Sequence, residues 1–391
     1  MNGSLGSTRR VKEIAESLAA KLGVKINVYS PYERDASIAE NVYLKSVPSL
    51  AQHFGLNDLA YRSSKVVYYN KYLAKHLLGF VARNSSRFLS RGLIAMMKRD
   101  RVSALQAEHD ISLYPAIVAA RELGIPLIAD LHNITAEELV ATGVLTRGGR
   151  VYQKLQDFVG ECLAQADHIC VVSEYMADYV SSNYGIEKSR IAVVAPAGRL
   201  RRKESAEKVP NHKVVYSGMA TYREHVDLFV RSIAHLTGSV ADTEFLMTDK
   251  GDALGKVKKL AGELEAKLSF FWFPSEEDLF EFLSTCSLGA LPSNDDEARR
   301  LGTPIKLFDY MSVGLPVVAN DVGGWSRIID DERIGMLTKD DPDDFGSAIG
   351  SLLENDELRS QMSLNCLKAV SLRYNWDKSI EPLTQIYEKF V

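Results

Sequence analysis

"LGTPIKLFDYMSVGLPVVANDVGG", residues 301–324, reads as a short helix, a glycine stop and a buried strand. Thr303 and Pro304 predict the helix start: a side-chain cap, then a residue whose missing N–H is no loss at that position. Gly314 predicts its end, and "PVVAND" (316–321) is an apolar run of strand length. At about 100° per residue, Leu307, Phe308 and Met311 share one side of this helix, while Lys306 and Asp309 share the other. The apolar side is expected to pack and the charged side to face a cleft. Lys306 lies in the first turn, where the helix dipole disfavours a cation, and Asp309 follows three positions on.

The same alternation runs outward along the chain. The runs "KINVYS" (25–30), "PLIADLH" (126–132), "HICVVS" (168–173) and "IAVVAP" (191–196) read as buried strands. They are followed by "KVVYSG" (213–218), "EFLMTD" (244–249), "LSFFWF" (268–273) and "LGALPS" (288–293). Apolar runs separated by helical patterns predict parallel sheets covered on both faces, an α/β doubly wound class. Val11, Ile14, Ala15, Leu18 and Leu22 recur at helical spacing between Ser7-Thr8 and Gly23, and predict the first helix. A sheet of this kind opens with a strand before its first glycine-rich turn. Here the sequence begins in the turn itself, so the first domain is expected to lack that strand, or the reading frame to begin late. The charged stretch "GRLRRKESAEKVPNH" (198–212) has no apolar periodicity and separates two similar series of strands and helices. This places an N-terminal domain at 1–198, a linker at 199–212, a second domain at 213–373 and a closing helix at 374–391.

With 391 residues, 46% hydrophobic and 25% charged, the chain has the composition of a soluble two-domain protein. A net charge of -4 gives no global basic footprint for nucleic acid. Cys162, Cys170, Cys286 and Cys366 are scattered in apolar contexts without metal-ligand spacing, so buried reduced thiols are expected. "MNGSLGSTRR" has no apolar signal core, and no run is long enough to span a bilayer. The expected location is the cytoplasm. The acidic run "KDDPDDF" (339–345) reads as a solvated turn and helix start, and no metal is assigned to it.

A bound phosphate at the start of the 304–314 helix would accept free backbone N–H groups and give Lys306 a partner. One turn deeper, Asp309 would accept from the vicinal hydroxyls of a ribose. Phosphate and ribose together make a nucleotide, and the segment follows a strand end, where open α/β sheets bind ligands. The bland alternative is an exposed helix ion pair contributing a few tenths of a kcal/mol.

The 301–324 stretch resembles the donor-site segment of family-4 glycosyltransferases, retaining enzymes of the GT-B fold. "LAQADHICVVSEYMADYV" (163–180), "IAVVAPAG" (191–198), "KVVYSGMATYREHVDLFVRSI" (213–233), "WFPSEEDLFEFLSTCSLGALPS" (272–293) and "YNWDKSIEPLTQIYEKF" (374–390) continue the match in order. The resemblance implies two Rossmann-like domains facing a cleft, with the C-terminal helix returning to the N-terminal domain. It also implies a nucleotide-sugar donor, UDP- or GDP-linked, on the C-terminal domain, an acceptor on the N-terminal domain, and no obligatory metal or cofactor.

By the resemblance, Lys306 meets the donor phosphate, as in "PxKLFEYM"-type sequences, and Asp309 meets the ribose. Thr303, Pro304 and Ile305 belong to the same donor segment. Gly218 would let backbone approach the diphosphate, and Arg223 would supply a second cation. Gly6 and Ser7, with Gly3, match the glycine-rich turn facing the diphosphate from the first domain. His132 matches a histidine near the anomeric centre. The pattern departs at Leu301, where better-known members carry the first of two glutamates eight positions apart. It departs again at Met219 and Glu224, where they carry a basic pair. A non-catalytic nucleotide-sugar binder and a sugar-nucleotide 2-epimerase therefore stand as alternatives. A nicotinamide dehydrogenase is disfavoured, because no GxGxxG lies between a strand and a helix.

Residues 62–101 hold ten Lys or Arg against one acid, Asp100, interleaved with Tyr68, Tyr69, Tyr72, Phe80 and Phe88. Such a helical region is expected either to lie on an anionic membrane surface, or to be an ordinary amphipathic pair with solvated faces. An anionic or lipid-linked acceptor is a related expectation.

Overall fold

The computed structural model describes residues 6–30, 36–46, 91–201, 212–221, 224–236, 243–273 and 275–390. The chain divides into two compact units, Met1–Ala195 together with Ile380–Val391, and Pro196–Ser379.

In the first unit α1 (Gly6–Leu22) precedes β1 (Ile26–Ser30), β2 (Ala36–Ala39) and β3 (Val42–Ser46), which form a small sheet of order β1-β3-β2. A helical stretch over 91–100 leads to β4 (Leu105–Glu108), α2 (Leu113–Leu123), β5 (Leu127–Leu131), α3 (Thr135–Ala141) and α4 (Arg150–Leu163). Then come β6 (His168–Val171), α5 (Glu174–Tyr184) and β7 (Ile191–Val193). The strands β4-β5-β6-β7 pair in that order, all parallel. α5 starts where the Ser173 side chain accepts from Met176 N, and ends at Gly185 in the left-handed region, φ 65°. β5, "LIADL", is buried along its whole length, including Asp130. A carboxylate there needs partners, and those partners define the first candidate site.

The second unit holds β8 (Lys213–Tyr216), α6 (Val226–His235), β9 (Glu244–Thr248), α7 (Leu254–Glu263), β10 (Leu268–Phe271), α8 (Glu276–Leu283) and β11 (Leu288–Leu291). It continues through α9 (Glu297–Leu301), α10 (Ile305–Ser312), β12 (Val317–Asn320), α11 (Ser326–Asp331), β13 (Gly335–Thr338), α12 (Pro342–Glu354), α13 (Asp356–Leu372) and α14 (Trp376–Ser379). Its six parallel strands run β10-β9-β8-β11-β12-β13, so the winding reverses between β8 and β11. Separate apolar clusters, one containing Phe229, Phe345 and Ile349 and the other Phe308, Met311 and Trp325, show a doubly wound sheet. A loop at such a reversal is where open α/β sheets hold ligands.

The chain re-enters the first unit after Ser379, through a C-terminal helix, Glu381–Tyr387. Tyr387 donates to Gln106 Oε1 at 3.0 Å, and Lys21 of α1 pairs with Glu381. All four cysteines are buried free thiols, as their sequence contexts predict. Gly3, most of the 198–212 linker and residues 62–90 of the basic region lie outside the described residues. Of that region's remainder, Arg91, Lys98, Arg99 and Arg101 are exposed, while Ile94 and Met97 are buried. Among the described residues no helix is long and apolar enough to cross a membrane.

Candidate active site

The second unit builds its site where β8 ends. The Tyr310 side chain, fully buried on α10, accepts from Ser217 N at 2.9 Å, and its hydroxyl lies 3.3 Å from the carbonyls of both Val215 and Ala290. This one hydroxyl ties α10 to the ends of β8 and β11. Gly289 makes room for it, since a Cβ there would meet the Tyr310 ring at 2.6 Å. Anchoring Tyr310 brings Lys306, one turn earlier, over the turn after β8. A Cβ on Gly218 would stand 2.7 Å from Lys306 Nζ and 2.6 Å from the Tyr216 hydroxyl, so only glycine lets the lysine lie there. Lys306 Nζ sits 5.2 Å from the Tyr216 ring centroid, within cation–π range. It also sits 3.4 Å from Glu224 Oε2, and Arg299 Nη1 lies 3.5 Å from Glu224 Oε1.

The start of α10 corrects two expectations. Pro304, not Thr303, occupies the N-cap position, and no side-chain cap hydrogen bond forms there. Pro304 itself is extended, φ -71° and ψ 121°, so the helix begins one residue later than expected, at Ile305. Asp309 is 7% exposed, not on an open charged side. α10 is packed between β11 and α13, and every residue from Leu307 to Ser312 is buried. Gly314 takes the left-handed conformation, φ 71°, just past the helix, as expected of a stop. Leu301 is also fully buried, so its side chain faces the core. A cavity of about 550 Å³ near the ends of β11, β12 and β13 is lined by Asp295, Asn320, Asp321 and Thr338 among others, and by none of the predicted site residues.

In the first unit, β4 and β5 pair with Glu108 opposite Asp130, and His132 follows β5 directly. His132 Nε2 lies 2.7 Å from Glu108 Oε2 and 3.5 Å from Asp130 Oδ1. Asp130 also receives Arg10 Nη2 at 3.1 Å and Gln106 Nε2 at 2.9 Å, while Arg10 Nη1 donates to the Val194 carbonyl at 2.6 Å. Burial alone would lower the His132 pKa, but the carboxylates of Asp130 and Glu108 outweigh it and push it up to about 9. Burial would likewise raise Asp130, yet Arg10 and then His132 hold its carboxyl well below the usual range. The two carboxylates thus favour the imidazolium form of His132, and both of its ring nitrogens are buried without an aligned hydrogen bond among the described residues.

His109 packs edge-on to His132 with ring centroids 4.5 Å apart, and its Nδ1 meets Asn133 Oδ1 at 2.9 Å. Its φ of 68° with ψ of 154° is a strained backbone for a residue with a Cβ, worth about 1–3 kcal/mol. The chain beyond His132 is pinned in turn. Thr135 N donates to Asp110 Oδ2 at 2.8 Å, and the buried Glu137 carboxylate receives Tyr152 at 2.6 Å, Tyr179 at 2.7 Å and Arg147. Glu108, Asp130 and His132 bring ligand atoms within 4.8 Å of one another, an arrangement with metal-binding potential. Arg10 and the protonated ring already balance those two carboxylates, so a cation would have to displace both.

Gly218 and Lys306 are brought together, with Pro304 and Ile305 at the same helix start, whereas Asp309 lies one turn in and buried. Gly6 and Ser7 open α1, and Arg223 lies outside the described residues. Arg10, Glu108, His109, Arg299 and Tyr310 were not singled out from the sequence.

Two family models match the chain: Glycosyltransferase Family 4 over residues 5–197, and Glycosyl transferases group 1 over residues 199–368. The α-D-kanosaminyltransferase of Streptomyces kanamyceticus is 27% identical over 179 residues, 45% of this chain and 45% of that protein. The D-inositol 3-phosphate glycosyltransferase of Acidothermus cellulolyticus is 24% identical over 295 residues, 69% of this chain and 63% of that protein. The chain therefore spans less than two thirds of the length of either relative. Among solved structures, sucrose-phosphate synthase from Thermosynechococcus elongatus superposes with a TM-score of 0.77 at 14% identity, over 99% of this chain and 94% of that one. Anabaena Alr3699/HepE in complex with UDP-glucose gives 0.70 at 12% identity, over 100% and 97%. With the two models spanning nearly the whole sequence and the GT-B architecture shared by these structures, the chain belongs to the family-4 glycosyltransferases.

Proposed function

We propose that the chain is a retaining glycosyltransferase moving a sugar from a nucleotide diphosphate, UDP- or GDP-linked, to a glycan, lipid-linked or small-molecule acceptor. The carrying observation is Lys306, held over Gly218 at the reversal of the second sheet by the buried Tyr310. A diphosphate there meets the ammonium group and the N–H groups at the start of α10. The complex of the similar HepE fold with UDP-glucose supports a nucleotide-sugar donor. Catalysis then rests on stabilising the departing diphosphate, which takes up charge as the glycosidic bond breaks.

The charged His132 has no lone pair with which to take a proton. By its match to a family histidine near the anomeric centre, its role is to position and polarise the transferred sugar. The acceptor proton goes to the leaving phosphate oxygen, as a retaining front-face reaction allows, so no protein base is assigned. No metal is assigned either, since the cations needed at the diphosphate are side chains. Asp309 is retained as the ribose contact through its position on α10. The location is the cytoplasm, at the inner membrane face if residues 62–101 bind anionic lipid.

Calorimetric titration with UDP, GDP and ADP, with NAD as control, tests the donor site. Lys306→Ala is expected to weaken the diphosphate that binds by about 10- to 100-fold, the loss of one charge-assisted contact, and to leave the matching nucleoside unaffected. Equal losses for both would remove Lys306 from the phosphate. The buried Leu301 favours one other reading, a nucleotide-sugar binder without turnover. Release of diphosphate from the donor over time separates the two.

A further inference from the structure

We infer that Glu224 is an internal stand-in for the donor diphosphate, seated between Lys306 and Arg299, and that it leaves when the nucleotide enters. The inference rests on the reading of the second unit as the donor site, and it adds Arg299 as the second phosphate-binding cation. Each oxygen of the Glu224 carboxylate faces a different cation, Oε2 at 3.4 Å from Lys306 and Oε1 at 3.5 Å from Arg299. A diphosphate presents the same pattern, paired anionic oxygens spanning two positive groups. Both distances exceed the 2.7–2.9 Å or so of a well-formed charge-assisted hydrogen bond, so the carboxylate neutralises the cations without locking onto them. A diphosphate carries more charge on more oxygens and can close on both.

The three side chains are accessible from solvent, at 17% for Glu224, 18% for Lys306 and 23% for Arg299, so the exchange needs no opening of the core. Glu224 stands in the connection between the turn after β8 and α6, its N–H bonded to the Thr221 carbonyl at 3.1 Å. Arg299 is placed by α9, whose Asp296 cap accepts from Arg299 N at 3.0 Å. The device keeps two adjacent cations neutralised while the site is empty and sets a threshold that a monophosphate meets less well than a diphosphate.

The test is calorimetric titration of the full chain with UDP, GDP and inorganic pyrophosphate. It compares the wild type with Glu224→Gln, Arg299→Gln and the double variant at fixed ionic strength, with circular dichroism to confirm folding and Glu224→Ala as a second probe. Glu224→Gln is expected to tighten the diphosphate that binds by about five- to tenfold, the worth of two partly exposed ion pairs released, and to leave the nucleoside unchanged. Arg299→Gln in the Glu224→Gln background is expected to reverse that gain. If binding depends on Lys306 but Glu224→Gln and Glu224→Ala leave it unchanged or weaker, the stand-in is overturned and the donor site stands. If neither wild type nor Glu224→Gln binds any of the three, both fall.

Discussion

His132 holds a charge that a solvated imidazole sheds near neutrality. Its folded pKa of about 9 exceeds the value of about 6.5 expected when unfolded, so protonation and folding favour one another. The sign follows: this stabilisation is complete below about pH 6.5, declines as pH rises, and is gone above about pH 9, a change on the order of 3 kcal/mol. Urea unfolding of the wild type and His132→Gln across that range should show the gap between them narrowing as pH rises. A gap that widens would mean a neutral ring. At this scale the sequence exposed Lys306, whose mismatch with the helix dipole called for an anion, and His132, at the end of a buried strand. It hid Arg10, Glu108 and His109, because each acquires its role from a residue distant in sequence: Arg10 meets Asp130, and the His109 ring packs on His132 beyond the end of the neighbouring strand.

Two glycines show how elements divide the work of building the Lys306 site. Gly218 and Gly289 both lie under α10, one beneath a flexible lysine and the other beneath a buried aromatic ring. Gly218→Ala is expected to push Lys306 aside and crowd the buried Tyr216 hydroxyl, lowering diphosphate affinity about tenfold at a stability cost of about 1 kcal/mol, because the lysine end yields easily. Gly289→Ala drives a methyl into the Tyr310 ring and should destabilise the unit by about 1–3 kcal/mol. Thermal melts beside UDP and GDP titrations distinguish the two, and the reverse ranking would refute this account of α10.

The strands around these glycines were legible because "KVVYSG" and "LGALPS" are apolar enough to declare themselves. β4, "LQAE", was not, since Gln106 finds its partners Asp130, Glu108 and Tyr387 only after the sheet forms. β13, "GMLT", and the short β2 and β3 carry too few apolar residues in a row to stand out. The Thr303 cap failed because Pro304 is extended and takes the N-cap position itself.

For the whole molecule, the division of the chain makes its last helix a part of the first unit. Leu383 and Ile386 are buried there, and Tyr387 reaches Gln106 beside the His132 cluster. A chain shortened to end at Ser379 should lose about 3 kcal/mol or more of first-unit stability from the apolar burial alone. The second unit, Pro196–Ser379, remains whole in that variant. Calorimetry should show one transition lowered and the other unmoved; two lowered transitions would show that the units do not melt independently.

The same division sets an order of events during synthesis. Translation proceeds from the first residue, so the ribosome makes every residue of the second unit before it reaches Ile380–Val391. The unit begun first is therefore completed last, and its β4 edge waits for Tyr387 throughout translation of the other. A nascent chain stalled near its end would carry a finished second unit and an unfinished first one, and the surface it offers to chaperones would belong to the older part of the molecule.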